Sequence, residues 1–273
     1  MYPVSSPYPG GTIGIPCATV PRYLDFEHSL EGLKIPNNCL SLRLPGSNVT
    51  LNMEGIVRQM QGEWLWIIGD DHTFDPELLL NLLKHDVDVV VPLCARRGPP
   101  FWPVVYKNLD IPAGVCDVYE WYELSLMDGL ISVEGVGSAG MLIKKRVLDA
   151  LPLPIFENLL TADGKAAGED VSLSYKIIKA GFPIHVDLNQ VMGHVTPVDI
   201  RPVRGYDGVF RTDGIFGRRT TPEGERDLNV RLTWSGSQEA HQMAAAGPSR
   251  LEETLHGYDT RPVLLPSLRD VCS

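Results

Sequence analysis

The feature that most constrains the fold is a regular alternation of short apolar runs and amphipathic segments across residues 11–94. GTIGIP (11–16) reads as a strand, and LDFEHSLEGLK (24–34) as a helix with Leu24, Phe26, Leu30 and Leu33 near helical spacing. CLSLRL (39–44) is a second strand, and LNMEGIVRQM (51–60) places Leu51, Ile56, Val57 and Met60 on another helix. EWLWIIGDD (63–71) is apolar on both faces, as a central parallel strand must be. PELLLNLLKH (76–85) opens with proline in its first turn and leads into the buried run DVDVVVPLC (86–94). Four such alternations predict an α/β fold: a right-handed, doubly wound, mainly parallel sheet with helices on both faces.

Further along, LISVEGVGSAGMLIKKRVLDAL predicts short strands, a glycine turn and a helix. GEDVSLSYKIIKAGF predicts a helix stopped by Gly181 and Pro183, with one or two short strands after it. Beyond Pro197 the periodicity fades. The expectation is a domain over 1–197 and a loop-rich lid and peripheral tail over 198–273, with arginines in 198–220 approaching a bound diphosphate.

Composition narrows the class. A 44% hydrophobic content suits a folded protein with a sizeable core, and no run of eighteen apolar residues is present. The opening MYPVSSPYPGG has neither the basic nor the apolar region of a signal peptide, so the expected location is the cytoplasm, without a membrane anchor. The formal charge of −10 argues against a strong surface for duplex nucleic acid. Cys17, Cys39, Cys94, Cys116 and Cys272 lack C-x-x-C spacing and read as reduced thiols.

Chemistry gathers in three short clusters. In a parallel sheet ligands bind beyond the carboxyl ends of strands, which is where Asp70-Asp71-His72 falls. On an extended strand end, Asp70 and His72 share one side and could grip one cation, with Asp71 facing elsewhere; the alternative is a turn or a helix cap. His194, in VMGHVTP, closes another apolar segment and is the third candidate ligand. One carboxylate and two imidazoles leave open positions on a divalent ion, and Mn²⁺ (or Mg²⁺) suits both imidazole and a diphosphate. Gly168-Glu169-Asp170 opens a helix whose dipole favours ionised carboxylates, and such a pair can divide sugar binding from general-base work.

The order of an apolar strand into D-D-H, a glycine turn before GMLI, then G-E-D and G-H-V, resembles the GT-A glycosyltransferases over roughly residues 10–197. It is similar to the family-2-like members and to the polypeptide N-acetylgalactosaminyltransferases in particular. The resemblance implies a GT-A, Rossmann-like fold and metal-dependent transfer of a hexosyl or N-acetylhexosaminyl group from a nucleoside diphosphate sugar, UDP-linked, to a hydroxyl. It implies Asp70, His72 and His194 as metal ligands, Asp170 as the base of an inverting reaction, and Glu169 on the donor or acceptor sugar. Asp71 would lie by the ribose or donor sugar, Gly140 would line the donor pocket, Pro16 would meet the nucleobase, and Arg97 would reach the donor. Short enzymes of this kind also occur in bacteriophages, with protein, glycan or modified-nucleobase acceptors. Two positions depart from the pattern: a histidine ends the D-x-D element, and LNMEGIV stands where many relatives have Arg-Asn. A nucleotidyltransferase and a non-catalytic binding protein are the alternatives; the first expects a glycine-rich basic loop, where this chain has GIPCATVPRYLD. Trp121 and Tyr122 read as core residues with sugar stacking as the alternative.

Overall fold

The computed structural model describes residues 1–18, 23–98, 100–204, 210–221 and 224–232. Its elements begin with β1 (Tyr2–Val4), β2 (Thr12–Cys17), α1 (Leu24–Gly32), β3 (Lys34–Pro36), β4 (Leu40–Pro45) and α2 (Val49–Gln59). They continue with β5 (Trp64–Ile67), β6 (His72–Phe74), α3 (Leu78–Leu83), β7 (Val89–Cys94), β8 (Val105–Asp110), β9 (Val115–Val118) and α4 (Trp121–Ser125). Next come β10 (Leu130–Val133), β11 (Gly135–Val136), β12 (Met141–Lys144), α5 (Lys145–Ala150), α6 (Glu169–Lys179) and β13 (Ile184–His194). Last are β14 (Asp199–Arg204), β15 (Phe210–Thr221) and β16 (Gly224–Leu232).

The central sheet runs in the order β4-β2-β5-β12-β7-β13-β10, with β6 also paired to β13. β2 is parallel to β4 and β5, and β7 is parallel to β13. β12 is antiparallel to both β5 and β7, so it joins two parallel groups that point the same way. The expected mainly parallel α/β sheet is therefore present, with reversed strands at β12, β10 and β6.

Side-chain alternation explains the layers. Leu65 and Ile67 of β5 pack with Met53 and Ile56 of α2, Val147 and Leu148 of α5, and Leu173 and Ile177 of α6. Trp64, Trp66 and Ile68 point the other way, onto Phe26 and Leu30 of α1 and Leu78, Leu79 and Leu82 of α3. Helices thus cover both faces, and a central strand with no solvent side has to be apolar throughout. α2 begins two residues earlier than its apolar periodicity because the Asn48 side chain caps it, accepting from the Leu51 N–H at 3.0 Å.

Several elements depart from expectation. β6 is a short strand directly after the Asp-Asp pair, and β13 is one eleven-residue strand where one or two short ones were expected. Its register against β7 shifts between Asp187 and Val191. β8, β9 and β11 form a separate antiparallel sheet whose Tyr106 and Val118 pack with Val171 of α6. Cys116 of β9 is disulfide-bonded rather than a reduced thiol, whereas Cys17, Cys39 and Cys94 are free.

The chain divides into two units. Residues Met1–Arg96 and Trp102–Val195 form the first, and Arg97–Phe101 with residues from Thr196 belong to the second. Within the second, β14, β15 and β16 make a three-stranded antiparallel sheet where fading periodicity had predicted loops. The remainder of the expected lid and tail, 205–209, 222–223 and 233–273, lies outside the described residues.

Ile143 sits in the middle of β12, is fully buried and touches the larger core cluster. Ile143→Ala should lower the unfolding free energy by about 2–5 kcal/mol, as large-to-small core changes do, measured by denaturant titration.

Candidate functional site

The carboxyl ends of β2, β5, β7 and β13 lie on one edge of the sheet, because these four strands run the same way. His194 is the last residue of β13 and Cys94 the last of β7; Asp70 and Asp71 follow β5. β6 then pairs antiparallel with the end of β13 so that His72 lies directly opposite His194. The Val195 N–H donates to the Asp71 carbonyl at 2.8 Å, which makes His72 and His194 a non-hydrogen-bonded pair, the closer of the two antiparallel spacings. Their rings stack with centroids 4.5 Å apart. Gly193 is needed for this approach, since a Cβ there would fall 2.3 Å from Thr73 Oγ1.

Hydrogen bonding assigns the imidazole protons. His72 Nδ1 lies 3.2 Å from the Gly69 carbonyl and 3.1 Å from Asp71 Oδ1, and both partners are acceptors, so Nδ1 carries the proton. His72 Nε2 then presents a lone pair; it is buried and has no hydrogen-bond partner. His194 Nδ1 donates to the Ala95 carbonyl at 3.0 Å, and its Nε2 lies 3.6 Å from Asp71 Oδ2. A lone pair opposite a carboxylate oxygen calls for positive charge there, supplied by a proton on the ring or by a cation. Burial alone would raise the Asp71 carboxyl, but hydrogen bonds from His194 and His72 outweigh it and hold Asp71 well below the usual carboxylate range.

Cys94 completes a cluster. One ligand atom each from His72, Cys94 and His194 lie within 4.8 Å of one another. The thiol is buried and burial pushes it up to about 12; it donates to the Ala95 carbonyl at 3.6 Å. A divalent cation fits this donor set on two grounds: an orphaned buried imidazole nitrogen, and two further donors in reach of the same point.

The sequence-predicted residues fall as follows. His72 and His194 come together. The chain turns at Asp70 and Asp71 instead of remaining extended, so the period of two does not hold there. Asp71, expected to face elsewhere, lies against both histidines; Asp70, buried, accepts the Ala18 N–H at 2.9 Å and lies outside the His72–Cys94–His194 group. That bond fastens the chain just after Pro16, which is in β2. Gly140 adopts a φ of +68°, a conformation that favours glycine, and its carbonyl accepts the buried Trp66 Nε1–H at 2.9 Å. Trp121 and Tyr122, read as core, are 44% and 70% exposed on α4.

Glu169 and Asp170 open α6, as expected, after Gly168. Asp170 Oδ1 accepts the Val171 N–H at 2.7 Å. The helix N-terminus predicts a carboxylate held in its ionised form, but burial pushes Asp170 up to about 6, with the negative charge of Glu169 adding to the effect. Backbone hydrogen bonds and the Arg96 charge oppose this without cancelling it. A carboxylate with that value is mostly ionised at neutral pH yet close enough to exchange a proton readily.

Arg96, two residues after Cys94, acts on the surroundings of Asp170, a placement that no local sequence pattern encodes. It hydrogen-bonds Tyr106, whose hydroxyl burial pushes up to about 12, and its charge acts on Asp170. Arg97 belongs to the second unit. The run Cys94-Ala95-Arg96 therefore touches both halves of the site: a donor atom, the carbonyl that orients His194, and a cation beside Asp170.

No family model matches the sequence, and no curated protein does. Solved structures are similar, two of them as follows. A197 from STIV aligns with a TM-score of 0.45 at 16% identity over 73% of this chain and 92% of that one. GalNAc-T7, solved with UDP, GalNAc and Mn²⁺, aligns with a TM-score of 0.45 at 11% identity over 69% of this chain and 44% of that one. At TM-scores this low neither likeness decides anything, and the fold class rests on the strand order and packing given above. Among the described residues no helix is long and apolar enough to cross a membrane.

Because folded Asp170 holds its proton more tightly than an unfolded aspartate does, its ionisation destabilises the fold above about pH 6, and this cost disappears below about pH 4. Asp170→Asn should therefore melt above the parent at pH 7, with the difference shrinking as the pH falls to about 4, followed by thermal unfolding.

Proposed function

We propose that the protein is a glycosyltransferase that uses a divalent cation to move a sugar from a nucleoside diphosphate donor, UDP-linked, to a hydroxyl acceptor. The observation that carries the reading is the unpartnered, buried Nε2 of His72, stacked across the strands from His194 at the carboxyl edge of the sheet. The order D-D-H, G-E-D and G-H-V supports it, as does a carboxylate raised to about 6 at the start of α6.

In this reading His72 and His194 hold the ion through their Nε2 atoms, and Asp71 fixes the His72 tautomer. The ion, Mn²⁺ or Mg²⁺ by the family resemblance, would neutralise charge growing on the diphosphate leaving group. Asp70 anchors the chain beside Pro16, near which the nucleobase would lie. Asp170 takes the proton from the acceptor hydroxyl as that oxygen attacks the sugar carbon, and Glu169 positions the sugar. The Tyr106 hydroxyl and Arg96 set the surroundings of Asp170. Gly140 keeps the turn before β12 narrow enough to line the donor pocket, since a Cβ there would fall 2.8 Å from Met192 Cε.

The test is incubation of the purified chain with UDP-sugars and divalent ions. Release of UDP, by transfer or by leakage to water, is the expected outcome, and pyrophosphate release would indicate nucleotidyl transfer instead. His72→Ala should abolish metal-dependent nucleotide binding while leaving the circular dichroism spectrum intact. Asp170→Asn should keep that binding and lower turnover by about 10²–10⁴-fold, the usual share of general-base catalysis. Binding of UDP without turnover by the parent would identify a binding protein.

A further inference from the structure

We propose that Cys94 is a third metal ligand, and that it turns the His72–His194 pair into a site selective for thiophilic ions of the Zn²⁺ and Co²⁺ class over Mn²⁺ and Mg²⁺. This rests on the metal-dependent reading above but changes the identity of the ion, which the D-x-H element alone leaves to the harder cations.

Three observations converge. The Cys94 sulfur and the two imidazoles offer ligand atoms within 4.8 Å of one another. In a tetrahedral site with metal–nitrogen and metal–sulfur bonds of ordinary length, ligand atoms are about 3.3–3.8 Å apart, so modest side-chain adjustment closes the group on an ion. Two of the three ligands are buried, His72 at 6% and Cys94 at 5% exposed, and His72 Nε2 has no partner of its own; the His194 side chain, 20% exposed, leaves the group open on one side. Finally, the free nitrogen of His72 does not have to be stripped of a proton, because Nδ1 carries it, and Asp71 lies 3.6 Å from His194 Nε2.

Donor chemistry then decides between ions. Carboxylate and water ligands suit Mg²⁺ and Mn²⁺, whereas a thiolate with two imidazoles suits Zn²⁺ and its spectroscopic substitute Co²⁺. Binding replaces the S–H bond of Cys94 by a sulfur–metal bond and releases the proton to solvent, with no change of oxidation state. Burial makes the bare thiolate costly, so it is the bond to the metal that has to offset the loss of that proton and of the contact with the Ala95 carbonyl. Three protein ligands leave a fourth position on a tetrahedral ion, the pattern of zinc sites that accept a substrate oxygen. A diphosphate oxygen is the ligand this proposal assigns to it. Asp71, against both rings, supplies negative charge beside the ion.

The experiment is Co²⁺ titration of the full chain, freed of metal with a chelator, followed by absorbance. A thiolate-to-cobalt charge-transfer band in the near ultraviolet is expected at one equivalent, and Zn²⁺ should bleach it while Mn²⁺ at the same concentration does not. The band should survive Cys17→Ser and Cys39→Ser and vanish in Cys94→Ser, with Zn²⁺ affinity falling about tenfold or more in a chelator competition. A cobalt complex without the band, or a Cys94→Ser chain with parental Zn²⁺ affinity, overturns the proposal. The parental spectrum needs no variant, so a poorly folding mutant does not obscure the answer. Adding UDP to the cobalt form separates the two readings: a changed spectrum supports both, and an unchanged spectrum with no UDP binding leaves the Cys94 ligand standing while removing the transferase. If Mn²⁺-dependent UDP binding is found without any thiolate band, the transferase stands and the role of Cys94 falls.

Discussion

The pairing of His72 with His194 across β6 and β13 is the constraint on which the site depends. In a non-hydrogen-bonded antiparallel pair the two side chains are as close as a sheet allows, which is why the rings stack. Each Nδ1 is occupied by an acceptor, so the remaining polarity of both rings is confined to Nε2. Leaving such a buried atom without a partner costs about 1–3 kcal/mol. Under the proposed function that cost is relieved by a cation, which the His72 lone pair and the neighbouring Asp71 carboxylate would share with His194.

The rest of the first unit serves that placement. Parallel strands bring four chain ends to one edge, and helices on both faces make the strands stiff and apolar. The reversed strand β12 holds β5 and β7 at a fixed separation, and so holds the Asp70–His72 segment relative to Cys94. From Cys94 the chain runs through Ala95, which orients His194, to Arg96, whose charge acts on Asp170. Donors for a cation and a carboxylate suited to proton exchange are therefore linked by three consecutive residues.

Much of this was legible in the chain itself. Apolar runs such as EWLWII and DVDVVVPLC read as central strands, and the polar residues that end them lie at the carboxyl edge of the sheet. His72 and His194 were visible because each follows such a run. Asp71 departs from the alternation because that pattern holds only for extended backbone, and the chain turns there. Cys94, at the end of an apolar strand, looks in the sequence like any core residue; what distinguishes it is the register of β13, which no local pattern encodes. The elevated Asp170 has the same origin: a helix N-terminus favours charge, while the burial that opposes it is set by the packing of α6 and not by its local sequence. β14 to β16 lack the apolar periodicity that marks a buried strand, and the loops expected there are strands paired chiefly to one another.

The irregularity in β13 separates two duties of a single strand. Before it, Ile184 to Asp187 are locked between β10 and β7 and belong to the core; after it, Met192 to His194 pair with β6 and present the imidazole. Residues 188–190 act as a joint whose length sets which face His194 occupies, since one residue more or fewer in extended backbone would turn the ring to the other side of the sheet. Natural variation in the length of this joint would thus switch the edge chemistry on or off while leaving the packed interior untouched, so that chains of this architecture can gain or lose the site without having to evolve a new fold.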